Sequence, residues 1–252
     1  MLTPLIAGNW KMHNTISEGV NLVLKLRELL KGTEDVEVVI APPFTSLHHI
    51  SHLIADSPIR LAAQNLFWEK SGAYTGEVSP AMLTDVGCSY VIIGHSERRL
   101  HFGETDENVN KKVRAAIGAG LRAIVCVGET LEERDGGETL ARVSEQAGLA
   151  LAGLTGGALR DLTIAYEPLW AIGTGRNATP DQAEEVHNRV RELLYDMAGP
   201  EAAGEMRIIY GGSVKPSNID GLMAQPNIDG ALVGGASLVA EDFARIVKFQ
   251  PA

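Results

Sequence analysis

Three side chains in this sequence stand at the ends of short apolar runs, where their types suit proton transfer or the binding of an anion. Glu167 closes Ala165-Tyr166-Glu167-Pro168, with a proline to stop the run, and is a candidate base. His95 follows Val91-Ile92-Ile93-Gly94 and precedes Ser96-Glu97-Arg98, where Ser96 is the expected cap of a short helix. An imidazole at a helix N-terminus is expected to stay neutral, since the positive end of the dipole disfavours imidazolium, and a neutral ring still donates a hydrogen bond to a carbonyl. Lys11 ends Gly8-Asn9-Trp10-Lys11 and would serve as the local cation for an anionic substrate, with Asn9 as a polar anchor beside it. Each has a plain alternative: a solvated strand-end Glu, a structural His, a surface Lys.

Glu167 does not stand alone. Leu169-Trp170-Ala171-Ile172-Gly173-Thr174-Gly175 sets an apolar tip between a proline and two glycines, the make-up of a hinged lid that excludes water from a reacting group. The competing reading, an oligomer contact or a lone exposed patch, leaves the glycines without a use. Two glycine pairs, Gly211-Gly212-Ser213 and Gly234-Gly235-Ala236-Ser237, follow the last two apolar runs. Singly each is a common turn; together, at the seventh and eighth strands, they mark where a barrel builds a phosphate site from backbone N–H groups.

Other patterns carry less. Gly173-Thr174-Gly175-Arg176-Asn177-Ala178 fits G-x-G-x-x-A but starts six residues beyond Glu167, too far for the tight turn of a dinucleotide site. His48-His49-His52 lacks the Glu of H-E-x-x-H and reads as a solvated helix face, so no metal is expected. Gly212-Ser213-Val214-Lys215 has the wrong spacing for a nucleotide-binding P-loop.

The elements that must position these residues alternate. Apolar runs at 5–9, 36–41, 59–63, 90–93, 123–127, 162–166, 207–210 and 230–233 read as strands, each followed by a segment with helical spacing. Runs such as Val36-Glu37-Val38-Val39-Ile40-Ala41 suit parallel strands covered on both faces. Thr179-Pro180-Asp181-Gln182, Ser79-Pro80 and Thr105-Asp106-Glu107 announce helix starts. Eight such units in 252 residues, with no linker or low-complexity segment, match a single-domain (β/α)8 barrel over residues 1–252, with an open doubly wound sheet as the competing architecture.

Composition narrows the function. The formal net charge of −10 excludes nucleic acid or an anionic membrane as the main partner, since both require dense Lys/Arg on one face. Cys88 and Cys126 match neither a disulfide framework nor a zinc ribbon, and a reducing cytoplasm fits them best. Residues 1–7 lack the basic region of a signal peptide, and no stretch approaches the roughly 18 apolar residues of a spanning helix.

Taken in order from residue 5 to about residue 240, these motifs resemble the triosephosphate isomerase family. The segments that carry the likeness are Gly8-Asn9-Trp10-Lys11-Met12, Ala63-Gln64-Asn65, Gly94-His95-Ser96-Glu97-Arg98-Arg99, Phe102-Gly103-Glu104-Thr105, the run from Ala165 to Gly175, and Tyr210-Gly211-Gly212-Ser213-Val214. The resemblance implies a TIM barrel that interconverts dihydroxyacetone phosphate and glyceraldehyde 3-phosphate through an enediolate, in glycolysis and gluconeogenesis, without a cofactor. It implies Glu167 as base, His95 as electrophile and Lys11 as the residue that binds and polarises substrate. Glu97 would support Lys11, and the backbone around Gly173, Ser213, Gly234 and Gly235 would hold the phosphate. It also implies a homodimer. The loop from Gln64 to Ser79 carries Leu66, Phe67, Trp68 and Tyr74, expected to be partly exposed in a monomer, and would reach a second subunit near Asn9 and Lys11 with Thr75 at its tip. The chain departs from the family at His13, at Arg176-Asn177-Ala178 and in the apolar Leu66-Phe67-Trp68, none of them catalytic positions. A non-catalytic phosphate-binding barrel and a dinucleotide oxidoreductase are the alternatives: the first has no use for Glu167 and His95 together, the second needs the Gly173 run to hold pyrophosphate.

Overall fold

A computed structural model describes residues 2–154, 156–171 and 178–250. The proposed lid residues 172–175, Gly173 among them, and the G-x-G-x-x-A segment up to residue 177 lie outside the described residues.

Among the described residues the order is β1 (Leu5–Asn9), α1 (Ile16–Leu29), β2 (Glu37–Ala41), α2 (Leu47–Ile54), β3 (Arg60–Ala63), α3 (Pro80–Asp85), β4 (Tyr90–Ile93), α4 (Ser96–Phe102), α5 (Asp106–Gly118), β5 (Arg122–Val127), α6 (Leu131–Asp135), α7 (Thr139–Leu151), β6 (Leu162–Tyr166), α8 (Pro180–Glu205), β7 (Arg207–Tyr210), α9 (Ile219–Met223), β8 (Gly230–Val233) and α10 (Ala240–Val247). Every strand pairs in parallel with the next, and β8 returns to β1 with Leu5 opposite Gly230 and Gly8 opposite Val233, so the sheet closes into a (β/α)8 barrel and the open-sheet alternative falls. Strand edges disappear on closure, which leaves no ladder for a foreign strand to join.

Alternation along the strands divides the core in two. Leu5, Ala7, Val39, Ala41, Ala62, Tyr90, Ile92, Ile124, Cys126, Ala165, Ile209 and Leu232 fill the barrel interior, while their neighbours Ile6, Val38, Ile40, Val91, Ile93, Val125, Ile164 and Ile208 pack outward on the helices. Both faces are apolar, as a parallel sheet demands. The same parity directs Asn9, the last residue of β1, and Glu167, Gly211 and Gly234, each one past the end of its strand, to the interior at the C-terminal mouth.

The helix starts obey their caps. Thr179 Oγ1 accepts from the Gln182 amide while Gln182 Oε1 accepts from the Thr179 amide, with Pro180 at the first position. Ser79 caps α3 and Thr105 caps α5, each through the amide three residues on. Such caps are each worth about 1 kcal/mol. α8 is broken at Gly199, whose φ of +77° takes the chain out of the helix ahead of Pro200. Three strands start one residue away from the sequence reading: β2 at Glu37, β3 at Arg60 and β5 at Arg122. Val36 and Ile59 are buried but lie outside the ladder, and the charged Arg122 is within it, opposite Tyr90.

Candidate active site

A cavity of about 620 Å³ opens at the C-terminal mouth of the barrel and is lined by Asn9, Lys11, His95, Glu167, Ser213, Gly234 and Gly235 among others. The residues expected to act together are therefore brought together, save Glu97, which lies behind Lys11, and Gly173, which is outside the described residues.

Glu167 leaves β6 with its side chain buried and its carboxylate doubly held. Oε2 accepts from the Ser96 amide at 2.8 Å, and Oε1 lies 3.0 Å from His95 Nε2. Burial works against the charged form, but His95, the Ser96 amide and Lys11 outweigh it and hold this carboxyl below its usual pKa. Gly211 gives it room: a Cβ there would stand 2.8 Å from Glu167 Cγ. Beneath it, the buried Cys126 thiol lies against the carboxylate and is pushed well up in pKa by burial and by that charge.

His95 itself, not Ser96, is the cap of α4: its Nδ1 accepts from the Glu97 amide at 3.2 Å. Side-chain capping by an imidazole is uncommon, which is why Ser96 was the natural expectation. The bond makes Nδ1 the acceptor and leaves Nε2 to carry the hydrogen of a neutral ring. Burial also disfavours imidazolium, but the Glu167 carboxylate favours it and, with the two in contact, lifts the His95 pKa above its ordinary value. The helix terminus alone therefore does not set the charge of this imidazole; its distance from Glu167 does.

Lys11 has φ +51°, a left-handed conformation rarely taken by a residue with a side chain. Its amide donates to Asn9 Oδ1 at 3.0 Å, and Gln64 Nε2 donates to its carbonyl at 2.8 Å, so the turn is held from both sides. The ammonium reaches Glu97 Oε1 at 2.6 Å. Opposite it, Gly234 is bare: a Cβ there would sit 3.4 Å from Lys11 Cε. Ser237, fully buried, donates to the Gly234 carbonyl at 2.7 Å and fixes the turn after β8, while Asn218 Nδ2 donates to the Ser213 carbonyl at 2.9 Å and fixes the turn after β7.

Several residues escaped the sequence reading. Lys215 and Asp242 line the cavity and carry no local signal beyond their charge. The Ser96 amide is a backbone donor and has no signature of its own. Glu129, fully buried, accepts from the Tyr166 hydroxyl at 3.0 Å and the Trp170 indole at 2.8 Å, with Arg134 at 3.3 Å, and so ties β5 to the short 3₁₀ turn Leu169–Ala171. It could have been found as a second carboxylate just past a strand, in Val127-Gly128-Glu129. Behind His95, Glu104 accepts from the Gly94 amide (2.9 Å), Arg98 (2.8 Å) and Lys112 (2.6 Å). Of the sequence decoys, His48 and His52 stack edge to face at 4.6 Å on α2, away from this mouth.

The loop expected to meet a partner starts at Gln64 and is closed at its neck by the Phe67 amide on the Val78 carbonyl, 2.9 Å. Leu66 is fully buried in the chain's own core, contrary to the expectation of partial exposure. Phe67 and Trp68 are half-buried and stacked 4.2 Å apart, whereas residues 69–77 are exposed.

A family model described as triosephosphate isomerase matches residues 4–250. Among curated proteins named triosephosphate isomerase, that of Pelobacter propionicus is 57% identical over 250 residues, covering 99% of this chain and 100% of the relative. That of Chloroflexus aurantiacus is 55% identical over 250 residues, with the same coverage. The protein of Syntrophotalea carbinolica is 54% identical over 250 residues, 99% of each chain. Among the described residues no helix is long and apolar enough to cross a membrane.

Proposed function

The chain belongs to the triosephosphate isomerase family, and from that premise we propose that Glu167 is the base, His95 the electrophile and Lys11 the substrate-binding cation of its reaction. The enzyme interconverts dihydroxyacetone phosphate and glyceraldehyde 3-phosphate, an isomerisation of glycolysis. The observation that carries the residue roles is the placement of the Glu167 carboxylate 3.0 Å from His95 Nε2 in the cavity that also holds Lys11, Ser213, Gly234 and Gly235.

Isomerisation needs a proton taken from the carbon next to the carbonyl and the resulting enediolate stabilised until the proton returns to the neighbouring carbon. Glu167 takes and returns it. His95 presents Nε2–H to the substrate oxygens and relays the hydroxyl proton, giving its hydrogen to the oxygen that becomes the hydroxyl and taking one from the oxygen that becomes the carbonyl. Once Glu167 turns from His95 to the substrate carbon, the contact that raises the imidazole pKa is gone and the ring is a neutral donor. Lys11, held by Glu97, offsets the charge that grows on oxygen, and Asn9 fixes the turn that presents it. The phosphate lies on the backbone of Ser213, Gly234 and Gly235 and, as the family resemblance implies, on Gly173 of the lid, which would keep water from the enediolate.

Residues 1–252 are read as one barrel domain, and a cytoplasmic location suits a glycolytic enzyme with two buried free thiols. A homodimer through residues 64–79 is supported by the exposed loop and by exposed apolar groups beside the site, Met12 (94%) next to Lys11 and Phe102 (68%) at the end of α4.

Turnover in D2O tests the reaction. Proton transfer through an enediolate puts solvent deuterium on the carbon beside the carbonyl in the product, seen by proton NMR. Product wholly free of deuterium at every substrate concentration would contradict an enediolate route in which the Glu167 proton exchanges with solvent.

A further inference from the structure

Arg99 does not line the cavity, yet its guanidinium joins the backbone on either side of the reacting pair. Nε donates to the Gly94 carbonyl at 2.8 Å, and Nη2 donates to the Cys126 carbonyl at 3.3 Å. Nη1 is bonded to Asp106 at the start of α5. Gly94 is the residue before His95 and holds φ +74°, with no room for a Cβ between the Arg99 Nη2 and the Cys126 carbonyl, 3.1 and 3.2 Å away. Cys126 lies opposite Ala165 in the β5–β6 ladder, two residues before Glu167. The side chain is largely buried, at 14% exposure. One planar fork with fixed N–H directions thus spans from the peptide that carries the electrophile to the strand that backs the base.

We propose that Arg99 is a positioning residue for the isomerisation, fixing the spacing of His95 and Glu167 by bridging the Gly94 and Cys126 carbonyls. This rests on the roles given to those two residues above. The reaction requires the Nε2–H and the carboxylate to address adjoining atoms of one small substrate. A shift of the Gly94–His95 peptide relative to β5 moves one group without the other, and leaves the phosphate turns after β7 and β8 where they are. The cost therefore falls on kcat and not on binding.

Arg99→Met keeps the length of the stem and removes every donor. In the folded variant kcat falls about 10- to 100-fold, while KM and the inhibition constant of inorganic phosphate stay within about threefold, and the 15N resonances of the His95 ring move. Arg99→Lys retains a cation for Asp106 but reaches only one carbonyl, so its loss is smaller and of the same kind; it decides the matter if Arg99→Met does not fold. Arg142→Met is the control. Arg142 holds the other oxygen of Asp106 at 3.6 Å and touches neither carbonyl, so that variant keeps the parent kcat even where its Tm drops. The proposal is overturned by a folded Arg99→Met enzyme, or by Arg99→Lys where the former does not fold, with kcat within about twofold of the parent, by unmoved His95 resonances, or by an Arg142→Met loss as large as that of Arg99→Met. Glu167→Gln, measured alongside, separates the two claims: parent-like turnover there sinks the roles themselves, whereas an inactive Glu167→Gln with normal Arg99 variants sinks only the bridge.

Discussion

Glu167 Oε1 faces His95 Nε2 at 3.0 Å, and its second oxygen is taken by the Ser96 amide. A carboxylate satisfied in this way is kept ionised in a buried site, at the expense of basicity. The pair shifts in opposite directions, Glu167 down and His95 up. For Glu167 the linked stability is present above the pKa of the unfolded chain and is lost as pH falls through the lower folded value. His95→Ala should remove the largest favourable influence on the carboxylate, so that burial raises the Glu167 pKa. A 13C titration of the glutamate side chains reads the rise, and kcat should fall about 100-fold or more.

Gly211→Ala places a methyl 2.8 Å from Glu167 Cγ and 3.2 Å from the Tyr166 carbonyl. The carboxylate has to move, and a displacement of that order costs about 100-fold in rate. The substitution should leave inorganic phosphate binding within a few-fold, since Ser213 and Gly234 are untouched. Steady-state kinetics with phosphate as inhibitor checks the split.

His187 is fully buried on α8, with Nδ1 at 3.0 Å from the Asn227 carbonyl. Burial drives its pKa from 6.5 down to about 4. As pH falls through 6.5 the unfolded chain takes up a proton that the folded chain accepts only near 4, so stability declines across that window. The whole loss is about 3 kcal/mol at 1.36 kcal/mol per pKa unit. Urea unfolding at pH 7 and pH 5 should show a smaller decline for His187→Phe than for the parent; equal declines would mean that this ring does not titrate as described.

Thr75 lies in the exposed part of the 64–79 loop. Thr75→Asp would carry an unpaired charge into a desolvated contact and should weaken assembly by at least about tenfold, with a parallel drop in activity. Sedimentation equilibrium checks it. A parent that is monomeric at micromolar concentration, or a monomeric variant with full activity, contradicts the proposed dimer.

The barrel was legible because closed parallel strands are apolar on both faces and α3, α5 and α8 announce their caps at Ser79, Thr105 and Thr179. Boundaries slipped where burial and pairing part company: Val36 and Ile59 are buried without being laddered, and Arg122 is laddered without being apolar. Strand-end position and residue type pointed to Glu167 as a candidate base, His95 as a neutral donor and Lys11 as a local cation, whereas the reaction that unites them came from the family resemblance. Contacts across strands were not legible. Glu129 at the Trp170 indole and Arg99 at the Cys126 carbonyl join segments 41 and 27 residues apart, and no local spacing encodes them. The His95 cap is local, on the Glu97 amide, and was not legible because imidazole is an uncommon cap.

Glu167→Gln tests the central claim most directly, because it removes the base with little change in volume. Folding, judged by circular dichroism, and inorganic phosphate binding should match the parent, while kcat in both directions falls by about 10² to 10⁴ or more. A folded Glu167→Gln enzyme with kcat within about tenfold of the parent would contradict the account and require another base.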